Sequence, residues 1–386
     1  MIPYGKQNIS QEDIEAVVQV LRSDYLTQGP VVPMFERCVA DFCGANYAVA
    51  TNSATAALHV ACLALGVGPG DSVWTTPITF VASANCALYC GASVDFVDID
   101  PQTYNMSTER LADKLAIAKV KGTLPKVVIP VHLCGQSCDM SAIHALSQEY
   151  NFKIIEDASH AIGGKYKNYA VGSCRFSDIT VFSFHPVKII TTGEGGMALT
   201  NDAVLADSMQ RFRSHGITSN REQMQSRPAK EIWNYQQIRL GYNYRLTDIQ
   251  AALGLSQMSR LNEFVNTRHD IAARYDAAFN RLPVIAPWQH SECWSSYHLY
   301  PIRVRQSNCD KSQREVYEIL LLAGINVNLH YIPVYRQPYY EQLGFEVGYC
   351  PQAESYYSEA ISLPIYFSLT KEDQEYVIDS IVKAIA

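Results

Sequence analysis

Charge is sparse in this chain of 386 residues and nowhere concentrated. Charged residues make up 18% of it, the net charge is −7, and no Lys/Arg run occurs. That argues against nucleic acid as a main partner. Long apolar runs are missing too, and the N-terminus lacks a charged-then-apolar signal pattern, so a soluble cytoplasmic protein without a membrane partner is expected. A paired cysteine framework is also absent: the eleven cysteines are scattered and odd in number, which favours free thiols. His132, Cys134 and Cys138 lie close together, but at no usual zinc spacing, so no metal is expected. Asn105-Met106-Ser107 is a chance sequon in a cytoplasmic protein. There is no internal repeat and no low-complexity tract.

What is present is a globular composition, 48% hydrophobic, in a chain long enough for a large core and two domains. Residues 1–9 read as an extended arm. Ser10 caps a helix with Asp13 as its capping-box partner, and Val32 to Phe42 is helical again. From Tyr47 an α/β alternation begins. Strands are expected at Tyr47–Thr51, Ser72–Thr76, Val94–Asp98, Val127–Val131, Lys153–Ile155, Ile179–Phe184 and Met197–Thr200. Helices are expected between them at Ala54–Leu65, Val81–Tyr89, Ser107–Ala118 and Met140–Tyr150. Such alternation implies a mostly parallel sheet covered on both faces, with its site at the carboxyl ends of the strands.

Residues 216–236, with Asn220, Gln223, Gln225, Ser226 and Pro228, read as a polar surface excursion. Leu246 to Asn266 reads as one long bridging helix. Beyond it, strands at Tyr297–Val304, Ile325–His330 and Ile361–Pro364 mix with helices at Glu315–Leu322, Glu354–Ala360 and Lys371–Ile385. The division expected is a large domain over 1–250 and a smaller α+β domain over 251–386.

Three clusters follow strands of the first domain. Thr51-Asn52-Ser53-Ala54-Thr55 offers backbone N–H groups at a helix N-terminus, an anion site or an ordinary cap. Asp157, in Glu156-Asp157-Ala158-Ser159-His160, offers an acid to a cationic ring nitrogen, or caps a helix. Ser183 and Lys188 offer a phosphate contact and an amine. Taken alone, Lys188 reads equally as a surface lysine; buried, it would be a neutral nucleophile. Phe80 is either a ring-stacking residue or core. One ligand uses a phosphate cradle, a carboxylate and an amine together, and that ligand is pyridoxal 5′-phosphate.

The same segments resemble the DegT/DnrJ class of nucleotide-sugar aminotransferases over essentially the whole length. They include Leu26-Thr27-Gln28-Gly29, Asn52 to Leu58, Thr76 to Phe80, Asp157 to Ala161, Ser183 through Lys188 to Gly196, Phe212 to Gly216, Gly241 to Leu246, His330 to Pro333 and Ile361 to Pro364. The resemblance implies the aspartate-aminotransferase-like fold type I, with a mostly parallel seven-stranded sheet in the large domain. It implies Lys188 as Schiff-base lysine and general base, Asp157 at the pyridine nitrogen, and His160 near the ring oxygen. Ser53, Ala54, Thr55 and Ser183 would cradle the phosphate, Phe80 would stack, and Asn243 would reach the neighbouring subunit's phosphate in a homodimer. Tyr4, Thr27, Gln28, His330 and Tyr331 would face the substrate. His185 and Arg213 are either structural or functional. Asp-x-Ser-His and Ser-Phe-His resemble the branch that makes the 4-amino precursor of pseudaminic acid. That implies L-glutamate as donor and a UDP-linked 4-keto-6-deoxy-N-acetylhexosamine as acceptor. Alternatives are amination at C3 or of a dTDP-sugar, a dehydratase on the same fold (which replaces the lysine by histidine), and a silent regulator (which usually loses the lysine or the acid).

Overall fold

The computed structural model describes residues 1–226, 231, 234–305, 307 and 309–385. Its centre is a seven-stranded sheet. The strands are β1 (Tyr47–Thr51), β2 (Ser72–Thr75), β3 (Ser93–Phe96), β4 (Val127–Ile129), β5 (Lys153–Asp157), β6 (Ile179–Ser183) and β7 (Gly196–Thr200). They pair in the order β1-β7-β6-β5-β4-β2-β3. β7 runs antiparallel to both neighbours, and the other pairings are parallel.

The helices of this half are α1 (Gln11–Leu21), α2 (Val31–Cys43), α3 (Ala54–Ala64), α4 (Ala82–Tyr89), α5 (Thr108–Lys121), α6 (Met140–Tyr150), α7 (Ala203–Arg213), α8 (Asp248–Met258) and α9 (Leu261–Phe279). They cover both faces, and the period-two alternation of the strands shows which side chain meets which layer. Val127 and Ile129 of β4 join the apolar cluster built with α3 and α4, while Val128 joins that of α5 and α6. Ile179 and Val181 of β6 face α3, whereas Phe182 packs with Phe35 and Val39 of α2. α3 is apolar nearly all round and buried accordingly, lying against the sheet, α4 and α7.

Most expected elements are found within a residue or two, and three differ for physical reasons. Leu246 to Asn266 is not one helix: the chain breaks at Ser259–Arg260 between α8 and α9. The strand expected from Tyr297 begins only at Tyr300, because Tyr297 has a positive φ of 47° and the segment before it turns inward. The strand expected over Ile325–His330 ends at Asn326, after which the chain bends toward the site. Within 216–236, Ile217–Thr218 pairs with Gln236–Gln237, and Asn220 caps a short turn of helix over Arg221–Gln223. Pro228 lies outside the described residues.

A second unit packs beside the large sheet. Val284–Ile285, Tyr300–Val304 and Ala360–Leu363 make a three-stranded antiparallel sheet, backed by helices Gln313–Leu322 and Lys371–Ile385. Its apolar cluster draws on residues 271–385. The N-terminal arm crosses to this unit, where Ile2 and Pro3 pair in parallel with Ile325 and Asn326. No helix among the described residues is long and apolar enough to cross a membrane.

The break at Arg260 is held by one buried carboxylate. Asp13 closes the capping box with Ser10, and its oxygens also accept from Ser256 Oγ at 2.6 Å, Gln257 Nε2 at 2.9 Å and Arg260 Nη2 at 2.7 Å. Burial raises its pKa, but the bonds from Ser10, Ser256 and Gln257 outweigh it and hold the carboxyl below the ordinary 3.8. Asp13→Ala should therefore destabilise the protein by roughly 3 kcal/mol, because it strands the donors of Gln257 and Arg260. Thermal melts check this. The gap between wild type and variant should be full above about pH 4 and shrink on acidification, since a carboxyl with a depressed folded-state pKa contributes only while ionised.

Candidate active site

The parallel strands end on one edge, and the residues just past those ends line a cavity of about 930 Å³. β1 delivers Asn52 and Ser53, β5 ends on Asp157, β6 ends on Ser183, and the turn after β2 delivers Thr79 and Phe80. Of the residues expected at the site, Tyr4, Ser53, Ala54, Thr55, Phe80, Asp157, His160, Ser183, Lys188, His330 and Tyr331 all line this one space.

One end of the cavity is an anion cradle. Ser53 caps α3, its Oγ accepting from Ala56 N–H at 3.1 Å, while its carbonyl accepts from Ala57 N–H. The first N–H groups of a helix have no intrahelical acceptor, so those of Ala54 and Thr55 remain free for a ligand. Gly196 makes this possible. It sits in register with both Thr51 and Ser183, and a Cβ there would collide with the backbone of Ser53 and Ala54. Only a residue without a side chain lets the helix start come down onto the strand ends.

Next along the edge stands Asp157. Its Oδ2 accepts from Ser83 Oγ at 2.6 Å, and its Oδ1 accepts from Ser159 Oγ at 2.6 Å and Ser159 N–H at 3.1 Å. Thr79 bonds Ser83 in turn at 2.7 Å, so the carboxylate is held from both sides. Glu156, one residue earlier, points to the opposite face. There burial opposes its charge, but His132, Ser177 and Thr180 hold its carboxyl below the usual range. His132 uses both ring nitrogens, one on Glu156 at 2.7 Å and one accepting from Cys138 N–H at 3.1 Å. Asn105 is buried and bonded to Gln136 and Leu133.

Lys188 lies half-buried opposite Asp157. Burial lowers its pKa and the Asp157 charge partly restores it, leaving the amine at about 8. Phe80 is 59% exposed and lines the cavity, an apolar ring left largely uncovered. A cradle for an anion, a fixed carboxylate, an amine of lowered basicity and an open aromatic face fit pyridoxal phosphate group by group.

The remaining wall carries histidines. His160 Nδ1 accepts from Cys134 N–H, and its Nε2 meets Tyr331 OH at 3.2 Å. His330 Nδ1 meets Ser362 Oγ at 2.9 Å. Burial, reinforced by the Lys188 charge, pushes His160 well below 6.5 and His330 to about 3. His298 and Asn328 belong to the same wall and were missed by sequence reasoning. A lone histidine inside an apolar run was the only signal for His298. Ser83 was missed as well; it is the second residue of α4, and its bond to Thr79 comes from the turn before that helix, which no helical spacing shows.

Three expected residues stand elsewhere. Thr27 bridges to Thr247, Gln28 adopts a positive φ of 55° in an exposed loop, and Asn243 bridges to Ser214. None lines the cavity of the single chain. Arg213 is structural: it binds Glu36 and the Ala50 carbonyl, tying α7, α2 and β1 together. His185 is exposed and lines the cavity, its carbonyl accepting from Lys188 N–H at 2.9 Å.

Residues 7–382 match the family model described as the DegT/DnrJ/EryC1/StrS aminotransferase family. The spore coat polysaccharide biosynthesis protein SpsC of Bacillus subtilis is 39% identical over 98% of this chain and 96% of its own length. The UDP-4-amino-4,6-dideoxy-N-acetyl-beta-L-altrosamine transaminase of Campylobacter jejuni (strain 81-176) is 38% identical over 99% and 96%. Among solved structures, Helicobacter pylori PseC, an aminotransferase of pseudoaminic acid biosynthesis, superposes with a TM-score of 0.89 at 33% identity, covering 100% of this chain and 99% of that one. Cavity and comparisons agree, and the chain belongs to the DegT/DnrJ/EryC1/StrS family as a pyridoxal-phosphate-dependent aminotransferase of fold type I.

Proposed function

We propose that this enzyme moves the amino group of L-glutamate to C4 of a UDP-linked 4-keto-6-deoxy-N-acetylhexosamine, a reading supported by the UDP-4-amino-4,6-dideoxy sugar in the name of its Campylobacter relative. The observation that carries the chemistry is the meeting of Lys188 and Asp157 in one cavity with the free N–H groups of Ala54 and Thr55. Lys188 also speaks against the dehydratase alternative.

Bound pyridoxal phosphate supplies an electron sink for charge released at the substrate carbon. The chain's part is to hold and move protons around it. Ser53, Ala54, Thr55 and Ser183 would hold the phosphate, and Phe80 would cover the ring. Asp157, fixed by Ser83 and Ser159, keeps a proton on the ring nitrogen. His160 would face the ring oxygen. Lys188 would hold the cofactor's aldehyde end, and its free amine would take the proton from the donor Cα. Its basicity suits proton abstraction near neutrality. At pH 7.5 an amine of pKa about 8 is neutral in about a quarter of molecules, against about 0.1% for an ordinary lysine. Tyr4, His330 and Tyr331 face the sugar. We assign Asn243 to the phosphate of a second copy, with Thr27 and Gln28 beside the substrate in that homodimer. The cofactor-binding domain would be residues 1–250 together with α8 and the start of α9, whose Ala251, Met258, Leu261, Phe264 and Val265 share the apolar cluster of α2 and β7.

A panel of UDP- and dTDP-4-keto-sugars with glutamate, products identified by NMR, tests the assignment. Amination at C3, or of a dTDP-sugar alone, would overturn the acceptor. Lys188→Ala should abolish turnover and the yellow colour of the loaded protein. In cofactor-free protein, lysine-selective labelling of Lys188 should be half-maximal near pH 8. Asp157→Asn should move that midpoint lower still, because the lost negative charge had been raising it. Gly196→Ala should leave the sheet formed yet weaken cofactor binding by roughly tenfold or more, since the cradle must shift to admit a methyl group. Fluorescence titration of the cofactor-free protein measures that.

A further inference from the structure

His298 lines the cavity with Lys188, but nothing in the roles above employs it. It is 4% exposed, and its Nδ1 is enclosed without a hydrogen-bond partner. Nε2 has no partner among the described residues either and is not enclosed, which makes it the nitrogen open to the cavity.

The ring is placed firmly. Arg268 Nη1 donates to the carbonyls of Tyr297 at 3.2 Å, His298 at 3.3 Å and Ile365 at 2.8 Å. Ser296 Oγ donates to the His160 carbonyl at 2.6 Å, and a Cβ on Gly135 would strike Ser296. These contacts bring the His298 and His160 rings to 4.4 Å, centroid to centroid. Burial, then the charge of Lys188, keeps His298 neutral, so it carries one N–H.

Three other polar groups of the cavity are already committed. Tyr331 OH meets His160, His330 meets Ser362, and Asp157 takes Ser83 and Ser159. No arginine lines the cavity among the described residues, and Lys188 is the sole ammonium there. An amino-acid donor must bring its Cα within reach of Lys188. Its α-carboxylate, one bond from that carbon, then arrives at the same wall and needs a donor that is not Lys188, which is busy with the proton. A neutral imidazole N–H facing a carboxylate makes a charge-assisted bond.

We propose that His298 donates a hydrogen bond from Nε2 to the α-carboxylate of the amino donor. This rests on the transaminase reading, but not on which amino acid or which sugar is used.

The two half-reactions separate the outcomes. Bleaching of the loaded enzyme by glutamate reports donor binding, and consumption of the keto-sugar by the amine form reports acceptor binding. In His298→Ala the apparent Kd for glutamate should rise about tenfold or more, the worth of one bond to a charged group. The KM for the keto-sugar and the affinity for pyridoxal phosphate should stay within about twofold. His298→Asn, which keeps an N–H, should recover part of the loss; a merely structural histidine would damage both halves alike and show no such rescue. Unchanged glutamate binding, or a loss confined to the sugar half, overturns the proposal. If wild type is bleached by another amino acid and not by glutamate, the donor named above is wrong, and the same comparison with that amino acid still decides the role of His298. If no amino acid bleaches it, the transaminase reading and this proposal fall together.

Discussion

The sheet and the start of α3 touch at Gly196, with no room for a side chain between them. β7 is the one strand running against the others in this sheet, so its first residue meets the last residues of β1 and β6. That reversal places three strand ends and one helix start in contact. The other site residues take their places from it: Asp157 on the neighbouring strand β5 is in register with Val181, two residues before Ser183. Lys188 follows five residues after Ser183, through a turn closed by its own N–H on the His185 carbonyl. A methyl group at Gly196 would push the cradle away from everything aligned with it.

Electrostatically the site is economical. Lys188 is pulled down by burial and held up by a single carboxylate, so its basicity is a compromise between two opposing effects of the same enclosure. The wall facing it is polar without adding charge. His160, His298 and His330 are all kept neutral, chiefly by burial and further by Lys188 itself. Three imidazoles can donate and accept hydrogen bonds there without competing with the lysine for its proton.

The alternation of strands and helices was legible because parallel strands buried on both faces read as apolar β-branched runs, as Ile179 to Phe184 does. Lys188, Asp157 and the Ser53–Thr55 turn were legible because each immediately follows such a run. What escaped depends on approach in space. Nothing in the sequence around Gly196 shows that the start of a helix comes down onto it. Tyr297–Val304 read as one strand because a period-two pattern cannot show that Tyr297 takes a positive φ and carries His298 into the cavity. The break between α8 and α9 left no proline or glycine in the sequence; it follows from Arg260 turning to Asp13, almost 250 residues away. Thr27, Gln28 and Asn243 show the same limit from the other side, since a single chain brings none of them to the cavity it encloses.

The cavity has two walls of different origin. The large sheet supplies the anion cradle and the acid at its strand ends, and Lys188 from the turn that follows β6. The other unit supplies His298, Asn328 and His330 on short irregular segments between its strands. Those segments are tied back individually: Arg268 grips the His298 stretch, Ser362 bonds His330, and the arm is pinned where Ile365 N–H donates to the Tyr4 carbonyl. Register is shared along a sheet and hard to alter at one place, whereas a loop tied by one or two bonds can change without disturbing its neighbours. In the function proposed above, the shared chemistry would belong to the sheet edge and the recognition of donor and acceptor to the loops. Lys188, at the seam between the walls, is the one group that must answer to both.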